Sequence, residues 1–166
     1  MTIANEPTNS VVIERNFSAP IGLIWKMWTD PEHFKSWYGP KGATIPIADF
    51  DVRVGGHRFV GMEINTPNGA MQMWFTGVHL SVLEPDRLAY SEAMSDENGN
   101  VRSPESMGMP EGHQTTTEVR VELVQTGDRT KMLLTHVGIP AGSPGETGWN
   151  MAFDKLTTYV DTQANR

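Results

Sequence analysis

Gly145-Glu-Thr-Gly-Trp149-Asn-Met-Ala-Phe153-Asp-Lys-Leu156-Thr-Thr-Tyr-Val160-Asp-Thr-Gln163 is the stretch around which the rest of the chain is arranged. Trp149, Phe153, Leu156 and Val160 fall at i, i+4, i+7 and i+11, one face of an α-helix. Met151, Asp154, Lys155 and Thr158 fall elsewhere on the wheel. Burying each of the four large side chains is worth roughly 1.5–3 kcal/mol, so the helix needs a partner surface. Gly142, Pro144 and Gly145 break the chain just upstream, and Glu146 or Thr147 is the expected first helical residue. The preceding chain reads mostly as strands, which makes the partner a sheet.

Upstream, Val11, Ile13 and Phe17 share one parity against Glu14 and Asn16, a strand over 11–17. Ser18 then reads as an N-cap with Pro20 in the first helical turn, and Ile21, Ile24, Trp25 and Trp28 form the apolar face of a short helix. Asp30-Pro31 caps a second short helix carrying Phe34, Trp37 and Tyr38, which Gly39-Pro40 ends. Asp49 to Val54 reads as a strand and Gly55-Gly56 as a tight turn. His57 to Ile64 is the next strand, followed by the hairpin signal Pro67-Asn68-Gly69. Met71 to Val82 and Arg87 to Met94 flank the turn at Glu84-Pro85-Asp86. Thr117, Val119, Val121 and Leu123 alternate with Glu118, Arg120 and Glu122, the cleanest strand pattern in the chain. Met132, Leu134 and His136 are in phase on the last strand, Lys131 to Val137. Strands joined by short turns pair antiparallel, and one exposed face of such a sheet requires a helix to cover it. Between them, Ser95 to Gln114 is long and rich in Gly, Pro and Ser, a candidate lid carrying Met107 and Met109.

Composition narrows the function. The 166 residues carry a net charge of −7, without the basic stripe of a nucleic-acid binder. There are no cysteines, which removes disulfides, thiol nucleophiles and thiolate metal sites. No apolar run reaches the length of a membrane span. Residues 1–10 read as a flexible lead-in without a signal pattern, which leads to the expectation of a cytoplasmic protein. Ten methionines and five tryptophans suit either a core of large, adaptable side chains or an apolar cavity.

Several local motifs resemble one family in order along the chain. They are Phe17-Ser18-Ala19-Pro20 with Ile24-Trp25; Thr29-Asp30-Pro31-Glu32-His33-Phe34 with Trp37-Tyr38-Gly39-Pro40; Asp51-Val52-Arg53-Val54-Gly55-Gly56; Gly77-Val78 with Leu83-Glu84-Pro85-Asp86-Arg87-Leu88; and Gly148-Trp149 with Phe153-Asp154-Lys155-Leu156. Over residues 11 to 162 the chain is similar to proteins related to the activator of the heat-shock-protein-ninety ATPase, in the START-like, or SRPBCC, superfamily. That resemblance implies the helix-grip fold. It does not assign an activity, because the superfamily holds lipid carriers, hormone receptors, polyketide cyclases and co-chaperones.

No nucleophile, metalloprotease or phosphate-loop motif is present, so no catalytic residue, metal or cofactor is assigned. His33, His57, His79, His113 and His136 are dispersed, although a sheet can gather His57, His79 and His136. His136 has the best parity for facing inward. Arg58 shares the more apolar parity of its strand, where it would meet a ligand carboxylate; beside Gly55-Gly56 the outward placement, with its stem over the sheet, is the expectation. Asp51 and Arg53 are expected to hold their turn as a surface pair.

The resulting expectation is an α+β helix-grip fold, with a curved antiparallel sheet of six to seven strands around the C-terminal helix and two short helices after the first strand. It occupies residues 11–163 as one domain. The expected function is binding a small apolar or amphipathic molecule between sheet and helix. The expected lining is Trp28, Trp37, Arg58, Met62, Met73, Phe75, Tyr90, His136, Trp149 and Phe153. The alternatives are a cavity enzyme of cyclase or hydrolase type with His136 as acid or base, and an interaction module that contacts a chaperone or forms a homodimer.

Overall fold

The computed structural model describes residues 9–108 and 114–164. The expected lead-in therefore lies outside the described residues up to residue 8, and so do Met109 and His113; Ser10 is already strand. The elements are β1 (Ser10–Phe17), α1 (Ile21–Thr29), α2 (Pro31–Phe34), β2 (Thr44–Phe50), β3 (His57–Thr66), β4 (Gly69–Leu83), β5 (Arg87–Ser95), a 3-10 turn (Glu105–Met107), β6 (Thr116–Thr126), β7 (Arg129–Val137) and α3 (Pro144–Ala164).

All seven strands form one curved antiparallel sheet in the order β1-β7-β6-β5-β4-β3-β2. Strands β2 to β7 are a meander, each paired with its successor, and β1 adds at the β7 edge. Inward rows follow from register. Val119 pairs with His136, Val121 with Leu134 and Leu123 with Met132, and all six side chains are buried. The face expected on α3 is the one buried: Trp149, Phe153, Leu156 and Val160 pack in the core with Trp28 and Trp37. Trp28 meets Trp37 edge-on at 4.9 Å, and Trp149 lies 5.3 Å from Phe153. Arg15 on β1 ties the helix down from outside, through Asp154 at 3.1 Å and the Asn150 side chain at 3.2 Å.

The second short helix, expected to carry Phe34, Trp37 and Tyr38 as far as Gly39-Pro40, ends at Phe34, so Trp37 lies in the turn that follows and Tyr38 just beyond it; three further differences have identifiable causes. α3 begins at Pro144, two or three residues before the expected Glu146 or Thr147, because proline suits the first helical position and Glu146 Oε1 accepts the Gly142 N–H at 2.7 Å. Ser18 does not cap α1. Gln125 Oε1 accepts the Ile21 N–H at 2.7 Å, while Ser18 Oγ accepts from Arg129 at 2.8 Å. Asp30 does cap α2, accepting from Glu32 N at 3.0 Å.

The third difference is β2, which runs over Thr44–Phe50 and not Asp49 to Val54. Residues 51–56 are a turn that carries the Asp51-x-Arg53-x-Gly55-Gly56 motif. Arg53 Nε donates to both Asp51 oxygens, at 2.9 and 3.1 Å, across the turn. Gly55 has φ +85°, and a Cβ on Gly56 would lie 2.0 Å from Asp51 O. Both glycines are therefore required by the backbone.

Candidate functional site

Sheet register assembles the site. Phe50 pairs with Arg58, Arg58 with Gly77, and Glu92 with Thr117. Gly77 lies between the pairs Thr76–Ala93 and His79–Tyr90, opposite Glu92. Arg58, Gly77, Glu92 and Thr117 thus form one row across β3, β4, β5 and β6. Gly77 contributes no side chain, so Arg58 reaches over it to place Nη1 3.6 Å from Glu92 Oε2, with both groups buried. The outward placement expected for Arg58 is corrected. Its guanidinium is caged by aromatic rings, 3.7 Å from the Tyr90 centroid and 5.1 Å from those of Phe34 and Phe50. Such a cage and a carboxylate together hold a cation out of water.

Above this row, between the sheet and the N-terminal half of α3, lies a cavity of about 410 Å³. Its walls are Met62, Ile64, Met73, Phe75 and Met94 from the sheet, Ile139 from the β7–α3 connection, and Trp149 and Met151 from the helix. Tyr38, Gly39 and Pro40 close another side. Lys155 fixes that turn by donating to the carbonyls of Tyr38 and Pro40, at 3.3 and 3.1 Å. Gln114, Thr115 and Pro144 are exposed at the rim.

The helix makes room by what it lacks. Gly145 and Gly148 fall where α3 passes the cavity, and a Cβ on Gly148 would meet nothing within 4 Å.

The floor is polar and directional. Trp149 Nε1 donates to His136 Nδ1 at 2.9 Å. An indole can only donate, so Nδ1 is the acceptor and the neutral ring carries its hydrogen on Nε2. His136 Nε2 lies 2.8 Å from Thr117 Oγ1, and that hydroxyl donates onward to the Glu92 carbonyl at 3.2 Å. Both imidazole nitrogens are thus engaged by protein groups. The Glu92 carboxylate faces the cavity, with the Tyr38 hydroxyl donating to Oε2 at 3.4 Å and His136 Nε2 3.8 Å from Oε1. Burial, reinforced by the Glu92 charge, pushes the Tyr38 hydroxyl well above the ordinary tyrosine value, so it stays a donor.

Of the ten side chains expected to line the space, the structure brings Met62, Met73, Phe75, His136 and Trp149 to it. Trp28, Trp37, Arg58, Tyr90 and Phe153 sit behind the wall instead. The ring of Trp28 on α1 and that of Trp37, in the turn after α2, pack on α3 and fill the core there; Trp37 Nε1 is satisfied by Met27 O at 3.0 Å. Glu92, Thr117, Tyr38 and Met94 were not foreseen as lining. Strand parity carried the signal for two of them, since Glu92 and Met94 continue the inward phase of Leu88 and Tyr90 along β5.

The remaining histidines do not converge. His57 is exposed and 3.0 Å from Asp49, and His79 is buried with Nδ1 3.3 Å from Gly56 O. Two strands, β5 and β6, separate His79 on β4 from His136 on β7. Among the described residues no cluster of three or more His, Cys, Asp or Glu could hold a metal ion. No helix among them is long and apolar enough to cross a membrane.

Comparison with known proteins matches this geometry to a family. The sequence model described as "Activator of Hsp90 ATPase homolog 1-like protein" matches residues 18–161. A solution structure from Staphylococcus epidermidis is 22% identical, with a TM-score of 0.73 over 98% of this chain and 95% of that one. A crystal structure from Nitrosomonas europaea is 20% identical, with a TM-score of 0.72 over 97% and 99%. The AHSA1 protein of Silicibacter pomeroyi is 17% identical, with a TM-score of 0.68 over 93% and 99%. At these identities the likeness shows the fold. No curated protein matches the chain.

Proposed function

The chain belongs to the Activator of Hsp90 ATPase homolog 1-like family of the SRPBCC superfamily, and from that premise we propose that it binds a small apolar or amphipathic molecule between its sheet and its C-terminal helix. The observation that carries this reading is the cavity itself. Its volume of about 410 Å³ falls in the range of small-molecule sites, and apolar side chains surround a few convergent polar groups. Desolvation of the methionine, phenylalanine and tryptophan walls would drive binding, and the floor would set orientation. Of the connection over residues 95–114, the described Pro104 and Gln114 line the cavity, which makes it the candidate cover.

The enzyme alternative with His136 as acid or base is not favoured, since both ring nitrogens already serve Trp149 and Thr117. A chaperone contact or a homodimer rests on the family's description and on scattered exposed side chains such as Val54 and Leu83. Native mass spectrometry of the purified protein, with organic extraction of what co-purifies, tests the reading. A stoichiometric small molecule supports it. A clean apo mass that acquires no apolar additive, together with a mass doubled by dimerisation, contradicts it in favour of the interaction module.

A further inference from the structure

We infer that the cavity floor selects a neutral hydrogen-bond donor: the occupant is an apolar molecule bearing a hydroxyl, inserted hydroxyl-first onto the Glu92 carboxylate. This inference rests on the ligand-binding reading above and specifies its chemistry.

Unused hydrogen-bonding capacity on the floor is concentrated in one group. Thr117 accepts from His136 and donates to the Glu92 carbonyl. His136 accepts at Nδ1 and donates at Nε2. Tyr38 donates to Glu92. The Glu92 carboxylate is different, because two oxygens offer about four acceptor positions. Among the described residues its side chain has one hydrogen bond, from Tyr38, and that one is long at 3.4 Å. The Arg58 and His136 nitrogens stand at 3.6 and 3.8 Å, beyond hydrogen-bond length. A buried carboxylate facing an apolar space with spare lone pairs calls for a donor to complete it.

Charge then selects among donors. Arg58 already balances Glu92 from behind, and its Nη2 is sealed off with no partner. An ammonium on the ligand would leave an excess positive charge in a low-dielectric space. A ligand carboxylate would face Glu92 and, among the described residues, would find no free donor and no free cation on the floor. A hydroxyl adds no charge and supplies the missing donor. A hydrogen bond to a charged acceptor is stronger than a neutral one, and discrimination of about tenfold or more against an isostere without the proton is expected.

The test measures the binding of four naphthalenes substituted at the same ring position: naphthol, methoxynaphthalene, naphthoate and naphthylmethylammonium. Isothermal titration with the full chain gives the affinities, and Trp149 fluorescence reports occupancy. Naphthol is expected to bind at least about tenfold tighter than its methyl ether, and both charged probes more weakly than naphthol. In the charge-balanced double variant Arg58→Met with Glu92→Leu, the ratio of naphthol to ether affinity should fall to about onefold. Glu92→Gln, which keeps the shape, should reduce that advantage severalfold. Equal binding of naphthol and ether to the unaltered protein overturns the hydroxyl anchor while leaving the cavity as a binding site. Tightest binding of naphthoate or of the ammonium overturns the floor's polarity in the same way. Failure of all four probes overturns the binding reading itself. The comparison on the unaltered protein decides the matter whatever the variants' stability.

Discussion

Gly148 is where stability and the cavity oppose each other most plainly. It lies in the interior of α3, where glycine costs about 0.8–1 kcal/mol relative to alanine. Its backbone needs no special conformation, and a Cβ there meets nothing within 4 Å. Gly148→Ala therefore recovers helix propensity with no steric cost, and the expected gain is about 0.5–1 kcal/mol. For a chain of this length that corresponds to a rise in Tm of about 1–4 °C, or a matching shift of the urea midpoint at unchanged slope. Gly148→Leu extends four carbons from the same wall. It should retain most of the stability while lowering the affinity for naphthol or its ether by at least about tenfold, because the added side chain occupies the ligand's space. The paired assay is urea denaturation and calorimetric titration of both variants. Destabilisation by alanine would show that the space beside Gly148 is not open. Unchanged affinity in the leucine variant would show that the ligand does not use this cavity.

Other variants probe the frame of the site. Gly77→Ala places a Cβ 1.8 Å from the Ser91 carbonyl oxygen, a collision between backbones of neighbouring strands; a loss of more than about 3 kcal/mol is expected in urea, and near-normal stability would contradict the close approach. Arg58→Met leaves the Glu92 carboxylate buried and unbalanced, at a cost of about 3–5 kcal/mol, whereas adding Glu92→Leu should recover most of it; a double variant as unstable as the single one refutes the coupling. Burial holds the His79 ring below its ordinary value of 6.5, so the unfolded chain binds that proton more readily. Its stabilising contribution is complete above about pH 6.5 and is lost as pH falls below it towards the folded value. His79→Gln should flatten that slope between about pH 7.5 and 5.5, and an unchanged slope would assign the dependence elsewhere.

The sequence made elements legible wherever one physical signal dominated. The α3 face at Trp149, Phe153, Leu156 and Val160, the β6 alternation and the Asp30 cap all have local causes, and each is found in the structure. The misses have non-local causes. Gln125 caps α1 from the end of β6, which no pattern around Ser18 could reveal. β2 was displaced because Pro46 interrupts its pattern, yet β2 is the sheet edge, where a proline removes no ladder bond that matters. At the site, Trp28, Trp37 and Phe153 have the same apolar signature whether they face a void or a packed core. Only the three-dimensional arrangement of α1 and α2 against α3 separates the two. Arg58 and Glu92 are individually improbable inside, and what permits them is their meeting across Gly77, a relation between three strands.

The central claim, an apolar ligand held between sheet and α3, is tested most directly through the methionines. Met62, Met73, Met94 and Met151 line the cavity, while Met27 and Met132 are buried elsewhere in the core and Met71 is exposed. Two-dimensional NMR of the protein labelled at methionine methyl carbons, titrated with naphthol, separates these sets. The expected result is a saturable shift of the Met62, Met73, Met94 and Met151 signals, with Met27, Met71 and Met132 unmoved. Shifts confined to Met71, or none at saturating naphthol, would contradict a ligand between the sheet and the helix.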